Sequence, residues 1–238
     1  MCHRPVLSAE SIWIRLHRLA VAEFDFRLRQ VMPEYWVAST PCEEWDVSEL
    51  VRHVVVETLL VPEALAGRDP SILRAELLGE SGALSQDVGA DRADDDPHDE
   101  FTLADDAFDE HALLGEPSGE DFIDGDPALV WEDAHRAASA AFGAAELADV
   151  VGAVGGNFRV IDYLRERTAD LLIHAWDLAD AIGVDDRLDE EAVVAVYEWA
   201  KPHEDRFRKT PLHFDTPVVP EAGADLQSRL LGLFGRTG

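Results

Sequence analysis

The sequence is poor in cysteine and in basic residues. Its 238 residues include two cysteines, Cys2 and Cys42, and neither belongs to a CxxC pair. Two such cysteines cannot build a disulfide framework or a cysteine-rich zinc site. The 20 basic residues face 49 acidic ones, which gives a net charge of −29 at pH 7. A field of that sign repels phosphate backbones and anionic headgroups, so we expect neither nucleic acid nor a membrane surface as a partner.

Long apolar runs are also absent. The first 19 residues carry four charged side chains and no apolar core, which argues against a secretory signal peptide. The longest apolar stretches, such as residues 54–56, are far shorter than the ~20 residues that a membrane helix needs. Hydrophobic residues still make up 47% of the chain, enough for a buried core. These observations predict a soluble, cytoplasmic protein.

The common local signatures of enzymes are missing as well. The chain has no Walker loop, no GxGxxG, no HExxH and no GxSxG. The glycine-rich residues 152–156 lead into no phosphate-binding pattern, and we expect them to form a plain loop. His203 and Glu204 resemble the start of a zinc-protease motif, but the second histidine is absent. No short motif therefore assigns a function.

About half of the excess negative charge lies in one segment. Residues 87–126 contain 16 acidic residues and a single basic one, Arg92, interrupted by prolines and glycines. The composition is typical of a solvated acidic connection on the surface, and we predict one here. A cation-binding segment, or an adaptation to high salt, is the functional alternative.

Elsewhere the apolar residues recur with helical spacing. Four long amphipathic helices must bury their apolar faces against one another, so the sequence predicts an all-α four-helix bundle with an extra helix and a short C-terminal tail. We place the bundle in residues 1–202, with the acidic connection inside it, and a short extension in 203–238. The predicted helices span residues 8–31, 46–67, 126–143, 158–182 and 188–201, with a short one at 226–234. Asp46 with Glu49 three residues on predicts a capping box at the start of the second helix, and Gly183 predicts the end of the fourth.

Three polar residues stand on otherwise apolar helix segments. Asp170 and His174 are four residues apart and share one helix face, and His53 lies within an apolar run of the second helix. Burying such groups is costly unless they are paired or bind a metal. Two imidazoles and one carboxylate are a known ligand set for catalytic zinc. The alternatives are a hydrogen-bonded core histidine at His53, and an Asp170–His174 pair on a helix surface.

Two longer stretches carry a family resemblance. TPCEEWDVSELVRHV (residues 40–54) and DLLIHAWDLADAIG (170–183) resemble the two motifs of the mycothiol-dependent maleylpyruvate isomerase family. That family belongs to the DinB-like superfamily of metal-binding four-helix bundles. The ending LQSRLLGLFGR (226–236) resembles that of a subgroup of actinobacterial relatives described only as metal-binding. The resemblance covers nearly the whole chain and is weakest across the acidic connection.

The resemblance implies a divalent metal held by His53, Asp170 and His174. Zinc is the expected metal, although imidazole and carboxylate also accommodate nickel or iron. The isomerases have glutamate, and many superfamily members histidine, at the position of Asp170. They also carry a fuller C-terminal domain, for which the residues after Lys201 are too few. The maleylpyruvate specificity is therefore not expected to carry over.

The resemblance also implies the chemistry. We expect a small-molecule thiol, mycothiol, to bind the metal as thiolate and attack an electrophilic substrate, either in S-transfer or in cis-trans isomerisation. A non-catalytic metal-binding or stress-related interaction protein is the alternative, as is a bundle whose site has decayed. Relatives often pair through bundle faces, so a homodimer is possible.

Three further residues have weaker roles in this interpretation. Asp177 could orient an imidazole or make a helix–helix hydrogen bond. Glu57 could be a fourth ligand, a general base or part of a solvated face. Cys42 is expected to be structural, because the family's thiol comes from the small molecule. His17, His135 and His213 have no matched partners and receive no role.

Overall fold

A computed structural model describes residues 9–42, 45–68, 127–153, 156–204 and 216–237. The acidic connection at residues 87–126 lies outside the described residues. The described part is dominated by helices, which confirms the predicted all-α class. The long helices are α1 (Ala9–Leu28), α2 (Val47–Leu65), α3 (Pro127–Ala144) and α4 (Val160–Ile182), followed by α5 (Glu190–Ala200) and α6 (Leu226–Leu233), with single 3₁₀ turns at Pro33–Tyr35 and Lys201–His203.

The ends of two helices follow the rules that the sequence suggested. The Asp46 side chain accepts a hydrogen bond from the backbone N–H of Glu49, and the Glu49 side chain accepts one from the backbone N–H of Asp46. This reciprocal capping box starts α2. Gly183 ends α4 with a φ of 69°, in the left-handed region that side chains disfavour. Both predictions are confirmed, and both helices carry residues of the candidate site.

The prediction of a plain loop at residues 152–156 is wrong. An antiparallel pair, β1 (Val150–Ala153) and β2 (Gly156–Arg159), occupies this region, with Val150 opposite Arg159. The predicted start of the fourth helix at residue 158 is also early, because β2 holds residues up to 159. Strands of four residues that include glycine are too short to show a period-two pattern, so local apolar spacing could not predict them.

The core is formed by the inner faces of the four long helices. α1 packs along α4 and α2 along α3, while α2 also contacts α4. Large side chains with almost no exposure fill the centre, and each adds about 1.5–3 kcal/mol by leaving water. Within the described ranges, no helix is both long and apolar enough to cross a membrane. Members of this buried set include Leu16, Phe24, Leu50, Trp131, Leu164 and Leu172.

The C-terminal residues are packed onto this core. Helix α6 contacts α5, and its apolar residues Leu230 and Leu231 belong to the same buried cluster as the bundle. At Gly232, a Cβ atom would lie 2.7 Å from the carbonyl oxygen of Val218, so only glycine permits this approach. The Gly232 carbonyl accepts a hydrogen bond from the Val218 N–H at 2.8 Å. The C-terminal residues are therefore held against the bundle, and this packing places Arg236 in the interior.

His17 lies inside the bundle rather than on its surface. Its side chain on α1 contacts Thr168 of α4 and meets the ring of Phe142 edge-on, with ring centroids 5.1 Å apart. Only 4% of the residue is exposed. Burial, with a contribution from the charge of Arg167, lowers the pKa of His17 to about 4. The imidazole is therefore neutral in the folded protein at physiological pH.

This buried neutral histidine predicts an acid-sensitive stability term. Between its ordinary pKa of 6.5 and the folded value of about 4, the unfolded chain binds a proton that the folded chain does not. Stability from this source is complete above pH 6.5 and falls as the pH drops towards 4. We expect His17→Gln, which cannot ionise, to gain about 3 kcal/mol relative to wild type between pH 7 and pH 4 in urea unfolding. An identical pH dependence of the two proteins would contradict this expectation.

Candidate metal centre

Three buried side chains from two helices converge at one point. α2 supplies His53, and α4 supplies Asp170 and His174 one turn apart. Oδ1 of Asp170 lies 3.5 Å from Nε2 of His53 and 3.5 Å from Nε2 of His174. All three donor atoms lie within 4.8 Å of one another, and the exposed fractions are 8%, 2% and 0%. The structure thus brings together the three residues that the sequence singled out.

The spacing of these atoms fits a metal better than a hydrogen-bond network. Two ligand atoms about 2.0–2.1 Å from zinc, at the tetrahedral angle, lie about 3.3–3.4 Å apart. The observed 3.5 Å is close to that separation and longer than the usual ~2.7–3.2 Å of an N–H···O bond. Within the described part of the chain, no hydrogen bond of ordinary geometry reaches the buried Oδ1 of Asp170. Such an oxygen is costly to bury unless a cation satisfies it.

The second oxygen of Asp170, Oδ2, faces Arg167 rather than the two histidines. Nη1 of Arg167 lies 3.7 Å from Oδ2 of Asp170 and donates to Oε2 of Glu57 at 2.6 Å. Burial alone would raise the pKa of Asp170, but the charges of Arg167 and His174 hold it well below its ordinary value. Asp170 is therefore an ionised carboxylate that offers one oxygen, Oδ1, to the centre.

Glu57 has a role that the sequence did not suggest. It is 6% exposed, so it is not part of a solvated face, and its ion pair with Arg167 accounts for its charge. It does not join the group of possible metal ligands formed by His53, Asp170 and His174. Glu57 balances the positive charge that Arg167 brings next to the candidate metal centre.

Asp177 fixes the orientation of one imidazole. Its Oδ2 lies 2.9 Å from Nδ1 of His174, and neither side chain is exposed. Burial would raise the pKa of Asp177, but Arg236 and the hydrogen bond with His174 lower it. Burial would lower the pKa of His174, but the charge of Asp170 and the hydrogen bonds to Asp170 and Asp177 raise it well above its ordinary value, so a metal must displace the Nε2 proton when it binds. With Nδ1 donating to Asp177, Nε2 is the nitrogen that faces Asp170 and supplies the lone pair to a metal. Of the two roles considered for Asp177, the contacts support the orienting one.

No pattern in the sequence assigned a role to Arg236. This residue is 3% exposed, and its Nε and Nη2 donate to Oδ1 and Oδ2 of Asp177, each at 3.0 Å. Nη2 also donates to Sγ of Cys42 at 2.8 Å. Cys42 is buried, and burial raises the pKa of its thiol. Asp177 and Arg236 are separated by 59 residues, so no local spacing signals their pairing.

The ring of Trp45 covers one side of the two histidines. The ring of Trp45 lies 4.8 Å from that of His53 and 6.0 Å from that of His174, measured between centroids. The two imidazoles meet edge-on at 5.0 Å. These contacts restrict rotation of both rings, so the nitrogens that face Asp170 are held in place.

The other histidines in the described part of the chain lie apart from this centre. His17 packs among α1, α3 and α4, and the half-buried His135 lies 5.2 Å from the ring of Trp131. His213 lies outside the described residues. Within the described ranges, the groups able to hold a metal draw on no histidine other than His53 and His174.

The fold and these side chains define a helical bundle with a buried His–Asp–His centre of the metal-binding type. The family model for the mycothiol maleylpyruvate isomerase N-terminal domain matches residues 17–179. This range covers more than half of the chain and contains His53, Asp170 and His174, so the chain belongs to this family, and the expected DinB-like fold is confirmed. Neither the curated proteins nor the solved structures provided a match. Arg236 lies beyond the matched residues.

The orientation of His174 by Asp177 predicts a loss of metal affinity on substitution. Asp177→Asn removes the negative charge that makes the imidazole a stronger donor, and we expect zinc affinity to fall about 10–100-fold. Asp180→Asn is the matched control, because Asp180 is exposed on the same helix. Competition with a chromophoric chelator measures both affinities. Equal affinities in the two variants would show that Asp177 does not act on the metal.

Proposed function

We propose that the chain binds one divalent metal through Nε2 of His53, Oδ1 of Asp170 and Nε2 of His174, and acts as a mycothiol-dependent isomerase or S-transferase. The observation that carries this proposal is the convergence of three buried donor atoms within residues matched by the family model. Three protein ligands leave a position open, as catalytic zinc sites do. Zinc is the proposed metal, and nickel and iron are the alternatives that the same ligands accept.

The charges around the centre favour a singly charged ligand in that open position. The buried carboxylates of Glu57, Asp170 and Asp177 face two guanidinium groups, those of Arg167 and Arg236. With both imidazoles neutral, as metal ligation requires, this set has one net negative charge, which a divalent cation converts to one net positive charge. A single thiolate then brings the buried charge to zero. Charge is costly in a low-dielectric interior, so neutrality supports binding of a monoanionic thiolate.

The chain's own residues supply position and an environment with little water. A divalent metal held at this centre lowers the pKa of a bound thiol and so provides a thiolate near neutral pH. Asp177 holds His174 with Nε2 towards the centre, and Arg167 holds Asp170 to a single ligand oxygen. Trp45 places an aromatic face over both imidazoles. Burial of the ligands limits competing water.

Two outcomes of thiolate attack are compatible with this centre. Addition of the sulfur to an electrophilic carbon with loss of a leaving group gives a thioether product, which is S-transfer. Reversible addition to a double bond permits rotation about the resulting single bond, and expulsion of the thiolate then completes a cis-trans isomerisation. We propose an electrophilic small molecule as substrate in either case.

The first test is metal content. We expect about one equivalent of metal in the wild-type protein after zinc reconstitution, and a large loss in His53→Ala, Asp170→Asn and His174→Ala, because each removes one of three ligands. Mass spectrometry of the metal in dialysed, untagged protein makes the measurement. His203→Ala is the control, since His203 is exposed outside the bundle core. Absence of bound metal in wild type would overturn the proposal.

The second test separates the enzyme from a passive metal-binding protein. Mycothiol added to metal-loaded wild type should give the ultraviolet absorbance of a thiolate at neutral pH, and the His174→Ala variant should not. Bound metal without this absorbance would reject the thiol-dependent activity and leave the non-catalytic metal-binding alternative.

A further inference from the structure

A second group of possible metal ligands lies on the other side of His174. Cys42 and Asp177 meet Nδ1 of His174, and all three residues are buried. Sγ of Cys42 lies 3.3 Å from Oδ2 of Asp177 and 3.9 Å from Nδ1 of His174. Thiolate, imidazole and carboxylate are all zinc ligands, and thiolate is the softest of them. By donor chemistry alone this group competes with His53 and Asp170 for the same imidazole.

The guanidinium of Arg236 already bonds to two of the atoms through which this second group would bind a metal. Its Nη2 lies 2.8 Å from Sγ of Cys42 and 3.0 Å from Oδ2 of Asp177, and its Nε lies 3.0 Å from Oδ1 of Asp177. The side chain is held further by the hydrogen bond from Nη1 to the carbonyl oxygen of Phe234 at 2.8 Å. A divalent cation bound to the same sulfur and oxygen atoms would lie against a fixed positive charge in a low-dielectric interior.

We infer that Arg236 is a built-in cation that keeps divalent metal off the Cys42–His174–Asp177 group and confines it to the opposite, Nε2 side of His174. Arg236 thereby acts as a positioning residue for the candidate metal centre, through its bonds to Asp177, which orients His174. The packing of the C-terminal residues against the bundle brings Arg236 close enough for this role. This inference rests on the proposed function in one respect: it takes the metal of the wild-type protein to bind at His53, Asp170 and His174.

Removing the arginine should open a second, sulfur-containing site. The Arg236→Met variant keeps a long unbranched side chain but removes the positive charge. Cys42 can then lose its proton to the buffer and bind metal together with His174 or Asp177. Cobalt(II) is the probe, because a cobalt–thiolate bond gives a near-ultraviolet charge-transfer absorption that nitrogen and oxygen ligands do not. We expect this absorption in Arg236→Met and its absence in wild type.

Three variants control the experiment. Arg236→Met combined with Cys42→Ser should lose the absorption, because the sulfur is gone. Arg236→Lys keeps a cation and should give a weaker absorption than Arg236→Met. Arg229→Ala removes an exposed arginine of α6, the helix that precedes Arg236, and should behave as wild type. Circular dichroism and thermal unfolding check that each variant is folded. If Arg236→Met does not fold, Arg236→Gln is used in its place.

The outcomes are distinct. Thiolate-to-cobalt absorption in the folded Arg236 variant alone supports the inference. The same absorption in wild type, or none in the folded variant, overturns it. Failure of wild type to bind cobalt in equilibrium dialysis would instead overturn the proposed function, and the spectrum of the Arg236 variant would still decide whether the arginine blocks a second site.

Discussion

The ion pair between Asp177 and Arg236 connects the tail of the chain to the candidate metal centre. Asp177 is buried next to His174, and a carboxylate in that position is stable as an anion only with a cation beside it. Arg236 supplies the cation and is itself held by the seating of the C-terminal residues on the bundle. The orientation of His174 therefore depends on a contact made 59 residues further along the chain.

The same principle operates on the other side of the centre. Arg167 faces one oxygen of Asp170 and is neutralised by Glu57, so the carboxylate offers a single oxygen towards the two histidines. The three carboxylates near the centre thus share two guanidinium groups, which leaves one negative charge for a cation. This balance supports the proposed binding of a divalent metal and a thiolate, because the two together leave no net charge among these buried groups.

Much of the fold and the three ligand candidates could be predicted from local patterns. The helical spacing of apolar residues gave the bundle, the capping box at Asp46 gave the start of α2, and Gly183 gave the end of α4. His53, Asp170 and His174 were identifiable because polar residues on apolar helix segments require a partner. The short β-hairpin was missed because strands of four residues have no distinctive period.

The sequence by itself determined which helices form and which polar groups they bury, since both follow from contacts within a few residues. Only the tertiary structure decided how those groups are paired. The assignment of Glu57 to Arg167, and of Asp177 to Arg236, depends on the packing of α2, α4 and the C-terminal residues. Such pairs leave no trace in local spacing, because electrostatic partners are selected by distance in space rather than by separation along the chain.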